Sequence, residues 1–274
     1  MVHEWLLWGE AVQNNGYAGT TAKAGYPDTY SYTGDTITLR KGIGKPLLIG
    51  GFQSSETKPG GGRIKGDISR GNMYEYLVGR RQSGNFMDGF NRLPQGFNEG
   101  EILTGETDDT NVSEETYMAA LFAYGNFHRY PMNIQEVLGM IGKSPRKIFD
   151  VPCSVTSAAA ITSGSGATDL KTASQDDDWI DADRQYYILA ARPNLVQNSG
   201  LLQFHKELPD PGGYNMQRNI IPLHTAKDEV NFDSGPETYP YEPIGPFSML
   251  APPSVGLFSI EAAATTFILK VAEF

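Results

Sequence analysis

Val255-Gly-Leu-Phe-Ser-Ile-Glu and, three alanines later, Thr265-Thr-Phe-Ile-Leu-Lys-Val-Ala-Glu-Phe are the stretches on which the reading of the fold turns. In the second, Phe267, Leu269 and Val271 recur at period two, which sets them on one face of a half-buried strand. A strand of this length and apolar content belongs inside a sheet. Working back towards the start, Asp35-Thr-Ile-Thr-Leu-Arg alternates in the same way. Lys45-Pro-Leu-Leu-Ile-Gly-Gly-Phe is a short apolar run bounded by Pro and Gly, and Arg63-Ile-Lys-Gly-Asp-Ile alternates again. These three read as antiparallel strands. The expected fold is mainly β: an antiparallel sandwich of the jelly-roll type, single with long insertions or tandem, with few short helices.

Composition agrees with that direction. The 274 residues include 31 Gly and 17 Pro, too many for a coiled coil or helical bundle. Apolar residues make up 39%, with 13 Phe and 14 Tyr, enough for a real core. A net charge of −10 argues against a protein that coats nucleic acid or binds acidic membranes. The single cysteine, Cys153, excludes an intramolecular disulfide framework and a Cys-based zinc site. Met1-Val-His-Glu-Trp-Leu-Leu-Trp lacks the basic start and long apolar run of a signal peptide. Pro243 to Ile260, an uncharged stretch that no other exceeds in length, holds four prolines, which no transmembrane helix would tolerate.

Charge is unevenly placed. Residues 40–92 carry ten basic side chains against four acidic ones, whereas 99–115 carry seven acids and no base. Such blocks either face each other within one molecule or register neighbouring subunits. Two segments look alike, Glu115-Thr-Tyr-Met-Ala-Ala-Leu-Phe-Ala-Tyr-Gly-Asn and Asp183-Arg-Gln-Tyr-Tyr-Ile-Leu-Ala-Ala-Arg-Pro-Asn. They read either as an imperfectly duplicated β unit or as two core strands with the same chemistry; the first also has the cap and alanines of a helix. Asn133-Ile-Gln-Glu-Val-Leu-Gly-Met-Ile-Gly predicts a helix that stops before Pro145. The expected organisation is a β half over 1–150, a Ser/Thr/Gly/Asp-rich connection over 151–178, and a second β half over 179–274.

Motifs that would carry chemistry fail on inspection. Gly142-Lys-Ser144 has the tail of a phosphate-binding loop, but its first glycine would fall at Val137 and Pro145 blocks the helix that must follow. Gly42-Ile-Gly44 reads as a tight turn. His3, His128, His205 and His224 show no metal-ligand spacing, and Cys153 reads as a small core residue. Asp176-Asp-Asp-Trp-Ile-Asp181-Ala-Asp183 is dense enough in carboxylates for Ca²⁺ near Asp176, Asp178 and Asp181, yet it lacks the glycine of the EF-hand loop and reads equally as an acidic loop. No other cofactor is expected. Gly89-Phe-Asn and Gly96-Phe-Asn present Phe90 and Phe97 on glycine-rich loops, where an aromatic ring must be covered by its own core, a sugar or a neighbouring subunit.

In its overall style of long loops, aromatic tips and paired charge blocks the chain resembles icosahedral-virus capsid proteins of the jelly-roll kind. The resemblance covers the whole chain without a motif match. It implies a non-enzymatic shell subunit located in the virion, with copies of itself and other shell proteins as partners. Phe90, Phe97, Arg80 and Arg81 are then the candidate subunit contacts. Many capsid proteins that package single-stranded RNA have a basic N-terminal arm, but here the first basic residue is Lys23. The resemblance is therefore to shells that line a membrane or pack DNA through other components, with no direct nucleic-acid arm. The competing reading is a soluble, intracellular carbohydrate-binding or carbohydrate-cleaving sandwich built on Trp5, Trp8, Trp179 and the Gly-Phe-Asn loops, with two carboxylates for hydrolysis.

Overall fold

A computed structural model describes residues 2–10, 23–25, 36–55, 62–68, 74–76, 95–107, 116–125, 128, 130–131, 133–156, 168–174, 181, 183–193, 200–205, 220–223, 237–259 and 264–274. The chain divides into two units, Met1–Tyr130 and Pro131–Phe274.

The first unit holds nine strands: β1 (Val2–Glu10), β2 (Lys23–Gly25), β3 (Thr36–Thr38), β4 (Pro46–Ser55), β5 (Gly62–Gly66), β6 (Tyr74–Tyr76), β7 (Gln95–Gly96), β8 (Ile102–Thr107) and β9 (Thr116–Tyr124). They form two antiparallel sheets, ordered β2-β1-β9-β4-β7 and β3-β8-β5-β6. The second unit holds a helix α1 (Ile134–Ile141), then β10 (Lys147–Thr156), β11 (Thr168–Asp169), a one-turn helix α2 (Leu170–Ala173), β12 (Tyr186–Pro193), β13 (Gly200–His205), β14 (Ile220–Leu223), β15 (Ile244–Phe247), β16 (Ser254–Ser259) and β17 (Ala264–Glu273). Its sheets are ordered β10-β17-β12-β15 and β11-β16-β13-β14.

Counting the second unit's strands from first to eighth, one sheet reads 1-8-3-6 and the other 2-7-4-5. The first unit gives the same two orders once β2, an extra strand beside β1, is set apart. Eight antiparallel strands that alternate between two sheets in this order are a jelly roll. The chain is therefore two jelly rolls in tandem, which decides between the two architectures the sequence left open.

This topology explains why neighbouring strand signals do not pair. Asp35–Arg40, Lys45–Phe52 and Arg63–Ile68 contain β3, β4 and β5, and β4 lies in a different sheet from the other two. β3 pairs with β8, and β4 pairs with β9 and β7. In a jelly roll successive strands cross from sheet to sheet except the fourth and fifth, which pair with each other, so most partners come from far along the chain.

The division between units also falls earlier than the Ser/Thr/Gly/Asp-rich stretch 151–178. β10 runs through Thr156 in register with β17, Lys147 opposite Glu273 and Thr156 opposite Ala264. A ten-residue ladder ties this stretch to the end of the chain, and the helix expected in the first half belongs to the second unit.

Alternation does its work on β17. Phe267, Leu269 and Val271 are buried, and they meet Val151 and Cys153 of β10, Ile188 of β12, Leu202 and Phe204 of β13 and Leu257 of β16 in one core between the two sheets. The outer face of the 1-8-3-6 sheet carries α1, whose Val137 packs on Leu189 and Ala272. Asn133 caps that helix by accepting the Glu136 N–H at 3.0 Å. Gly142, at φ 70°, closes it by donating its N–H to Leu138 O. The Gly-Lys-Ser tripeptide is thus a helix stop.

In the first unit His3–Leu6 of β1, Leu48–Gly50 of β4 and Ala120–Tyr124 of β9 are buried without a break. Both faces of these stretches are covered. Among the described residues no helix is long and apolar enough to cross a membrane.

Candidate functional site

At one end of the first jelly roll, the connections between its second and third, fourth and fifth, and sixth and seventh strands are stitched together by polar groups. The Gly42 N–H donates to Glu99 Oε2 at 2.8 Å, the Leu39 N–H to Glu101 O at 2.9 Å and the Phe97 N–H to Pro46 O at 2.9 Å. Asp67 exchanges bonds with Ile102, its N–H reaching Ile102 O at 3.0 Å and its Oδ1 accepting the Ile102 N–H at 2.9 Å. Glu101, buried, accepts from Asn98 N–H at 2.8 Å and from Asn98 Nδ2 at 3.2 Å. A Cβ on Gly66 would overlap Glu101 Oε1, and one on Gly44, at φ +112°, would come within 3.0 Å of Gly125 N. These two glycines let the turns close on the carboxylate and on the end of β9.

Next to this end lies a buried charge. Glu4 of β1 is fully buried, pairs with Arg40 and accepts the Tyr124 hydroxyl at 3.1 Å. Removing a carboxylate from water is costly unless a cation and hydrogen bonds replace the lost hydration. Sequence reasoning missed this trio. Its one signal is an acid inside the apolar run His3-Glu-Trp-Leu-Leu-Trp.

The second unit places its charges differently. On the outer face of the 1-8-3-6 sheet Asp150 accepts Lys270 Nζ at 2.7 Å and Arg192 Nη2 at 3.3 Å, and Lys270 also lies 3.5 Å from Glu237. Burial by itself would lower the Lys270 ammonium, but the Asp150 hydrogen bond and the Asp150 and Glu237 charges outweigh it and hold its pKa above the ordinary value. Tyr239 donates to Glu237 Oε2 at 3.0 Å. Burial, with the neighbouring Glu237 charge, pushes that phenol up to about 12. Cys153, sealed in the core, is pushed up to about 12 by burial. Such a thiol is neutral and unreactive at physiological pH.

Phe97, a candidate subunit contact on the sequence, lies in the core of the first unit. It is 1% exposed, and its ring stands edge-on to Phe122 at 5.4 Å, so the unit's own core covers it. Trp5, offered to a sugar in the competing reading, is likewise fully buried. Asp181 holds a turn: its Oδ1 accepts the Asp183 N–H at 3.2 Å, its Oδ2 accepts Arg184 Nε at 3.3 Å, and its carbonyl accepts the Tyr186 hydroxyl at 3.1 Å. Phe90, Arg80, Arg81, Asp176, Asp178 and the Trp179 side chain lie outside the described residues, as does the side chain of Trp8. Of the two charge blocks, the backbone register sets Arg63 opposite Glu106 on one side and Glu75 on the other.

The fold and these residues define a tandem jelly-roll protein. No family model matches the chain, and no curated protein does. Among solved structures it aligns with the major capsid protein P2 from bacteriophage PM2 over 98% of its own length and 97% of that chain, at 10% identity and a TM-score of 0.20. A score that low does not carry a fold from one protein to another.

Proposed function

We propose that the chain is a structural subunit of a symmetric shell, a virion capsid, acting through contacts with copies of itself and without catalysis. The observation that carries this reading is the repetition of one eight-strand order in two units of a single chain. Jelly rolls build viral shells, lectins and small-molecule barrels alike, so the fold alone does not choose among them. Repetition favours the shell. A ligand site occupies the loops of one sandwich and gains nothing from a second complete one, whereas a lattice uses each sandwich as a tile. Linking two tiles makes placement of the second an intramolecular step.

Exposure supports the same reading. Ile68 (60%) and Ile102 (40%) lie at the stitched end of the first unit, and Leu250 (77%), between the sixth and seventh strands of the second, lies in a connection of the same class. Large aliphatic side chains held out on ordered turns suit contacts between subunits. With Trp5 and Phe97 in the core, the sugar reading loses two of its platforms.

Light scattering coupled to size exclusion, with negative-stain microscopy of the purified full chain, tests the proposal. Regular particles or discrete high-order oligomers are expected. A protein that stays monomeric at all concentrations and binds sugars on a glycan array would overturn it.

A further inference from the structure

Helix α1 lies on the outer face of the second unit's 1-8-3-6 sheet, with Ile134, Val137, Leu138 and Ile141 packed in the cluster that holds Leu189 and Ala272. Helical spacing sets Glu136, Gly139 and Met140 on the opposite side. Gly139 is exposed there, and among the described residues a Cβ added to it would meet nothing within 4 Å. Its backbone is helical, so neither conformation nor a described neighbour calls for glycine, which is the weaker choice against alanine in a helix interior. What glycine gives at this position is a notch that lets another chain approach the helix closely.

Beside the notch stands a knob. Met140 is 38% exposed, and Ile148, opposite Ala272 in the β10–β17 ladder, is 40% exposed. Two of the five large apolar side chains exposed among the described residues thus share this outer face. Exposed apolar side chains gathered on one face mark a contact surface.

We infer that this face pairs with the same face of a second copy, α1 against α1 and antiparallel, about a two-fold axis passing between Gly139 and Met140. The partner rests on the assembly reading above; the axis rests on the residues. A two-fold contact needs a surface that complements itself, residue i meeting j while j meets i. With the axis between them, Met140 of each copy enters the notch over Gly139 of the other. An axis on Met140 would set knob against knob, and one on Gly139 notch against notch. Charge follows the same axis. Glu136 stands one turn before the notch, and the exposed Lys143 follows the Gly142 cap at the other end. Antiparallel copies therefore bring the Glu136 end of each helix to the Lys143 end of its partner. Glu136 keeps its cap contact meanwhile, Oε1 accepting Asn133 Nδ2 at 3.4 Å.

Association of the full chain, followed by light scattering coupled to size exclusion, tests the contact. Gly139→Gln fills the notch with a good helix former. It should raise the dimer dissociation constant roughly tenfold or more, while circular dichroism is unchanged and the melting temperature holds or rises. Cysteines read the axis directly, since Cys153 is sealed in the core. A chain carrying G139C mixed with one carrying M140C should form the mixed disulfide faster than either forms its own. Unchanged association of folded G139Q, or equal disulfide yields in mixed and unmixed samples, overturns the inference. Where folded G139Q still builds normal particles, the assembly reading stands without this contact. Dimers that G139Q abolishes, in a protein that never forms larger particles, keep the inference and remove that reading. A chain that is monomeric at all concentrations removes both.

Discussion

Among the described residues, the first jelly roll buries a charge and covers the outer edge of its opening strand, whereas the second carries an ion-pair cluster on an outer face and has its opening strand at the edge of a sheet. Glu4 is sealed with Arg40 and Tyr124 in the first unit, whereas Asp150, Arg192 and Lys270 of the second share an outer face with solvent. The second unit has a helix on its 1-8-3-6 sheet; the first has β2 along β1. Both reach the same strand order. The order is thus set by which residues alternate into the space between the sheets, and the chemistry of outer faces and edges remains free to diverge. Divergence of that kind is what two tiles with different neighbours would need.

The largest expected effect singles out the second unit. Cys153, Tyr186, Tyr239 and Lys270 all hold their protons more tightly than usual; burial is the leading cause for the thiol and the two phenols, and the Asp150 and Glu237 partners outweigh burial for Lys270. Each contribution is whole below the unfolded value and falls away as pH climbs to the folded one. For Cys153 the rise from 9.0 to about 12 is worth on the order of 4 kcal/mol, and the other groups add with the same sign. Urea midpoints measured across that alkaline range should fall steeply, and Cys153→Ala should flatten the fall. A level profile would show that the core opens to solvent.

Phe97→Ala comes next. It should cost about 3 to 5 kcal/mol, read as a lower urea midpoint, because the ring belongs to the core against Phe122. Lost assembly at unchanged stability would return Phe97 to the surface. Arg40→Met should cost about 3 kcal/mol by leaving the buried Glu4 carboxylate without that cation. Glu4→Gln in the same background should recover much of the loss in thermal melts. The matching change in the second unit, Asp150→Asn, should cost less than about 1 kcal/mol. Equal costs for Arg40→Met and Asp150→Asn would erase the contrast between the two units.

What could be read from the sequence follows the same physics. Thr265–Glu273 and Asn133–Gly142 were legible because one period, two or 3.6, accounts for their apolar positions. Of the two readings of the likeness of 115–126 and 183–194, the structure supports two core strands with the same chemistry rather than a duplicated unit. These segments hold β9 and β12, the eighth strand of one unit and the third of the other. They look alike because both run through the middle of a 1-8-3-6 sheet, where Ala120–Tyr124 and most of β12 are covered on both faces; the counterpart of β9 in strand order is β17. β1 went unread because burial on both faces erases alternation. The Glu4 trio was illegible because its members, residues 4, 40 and 124, meet only once three distant segments have folded together.

The lone thiol of Cys153 has a use beyond packing. Shut between two sheets and carrying its proton, it can react with an added disulfide reagent only while the second sandwich is open. The modification rate of the native protein is therefore a clock for that opening. Followed across the protein concentrations at which the proposed assembly would form, the same clock would report whether a neighbour holds the second sandwich shut.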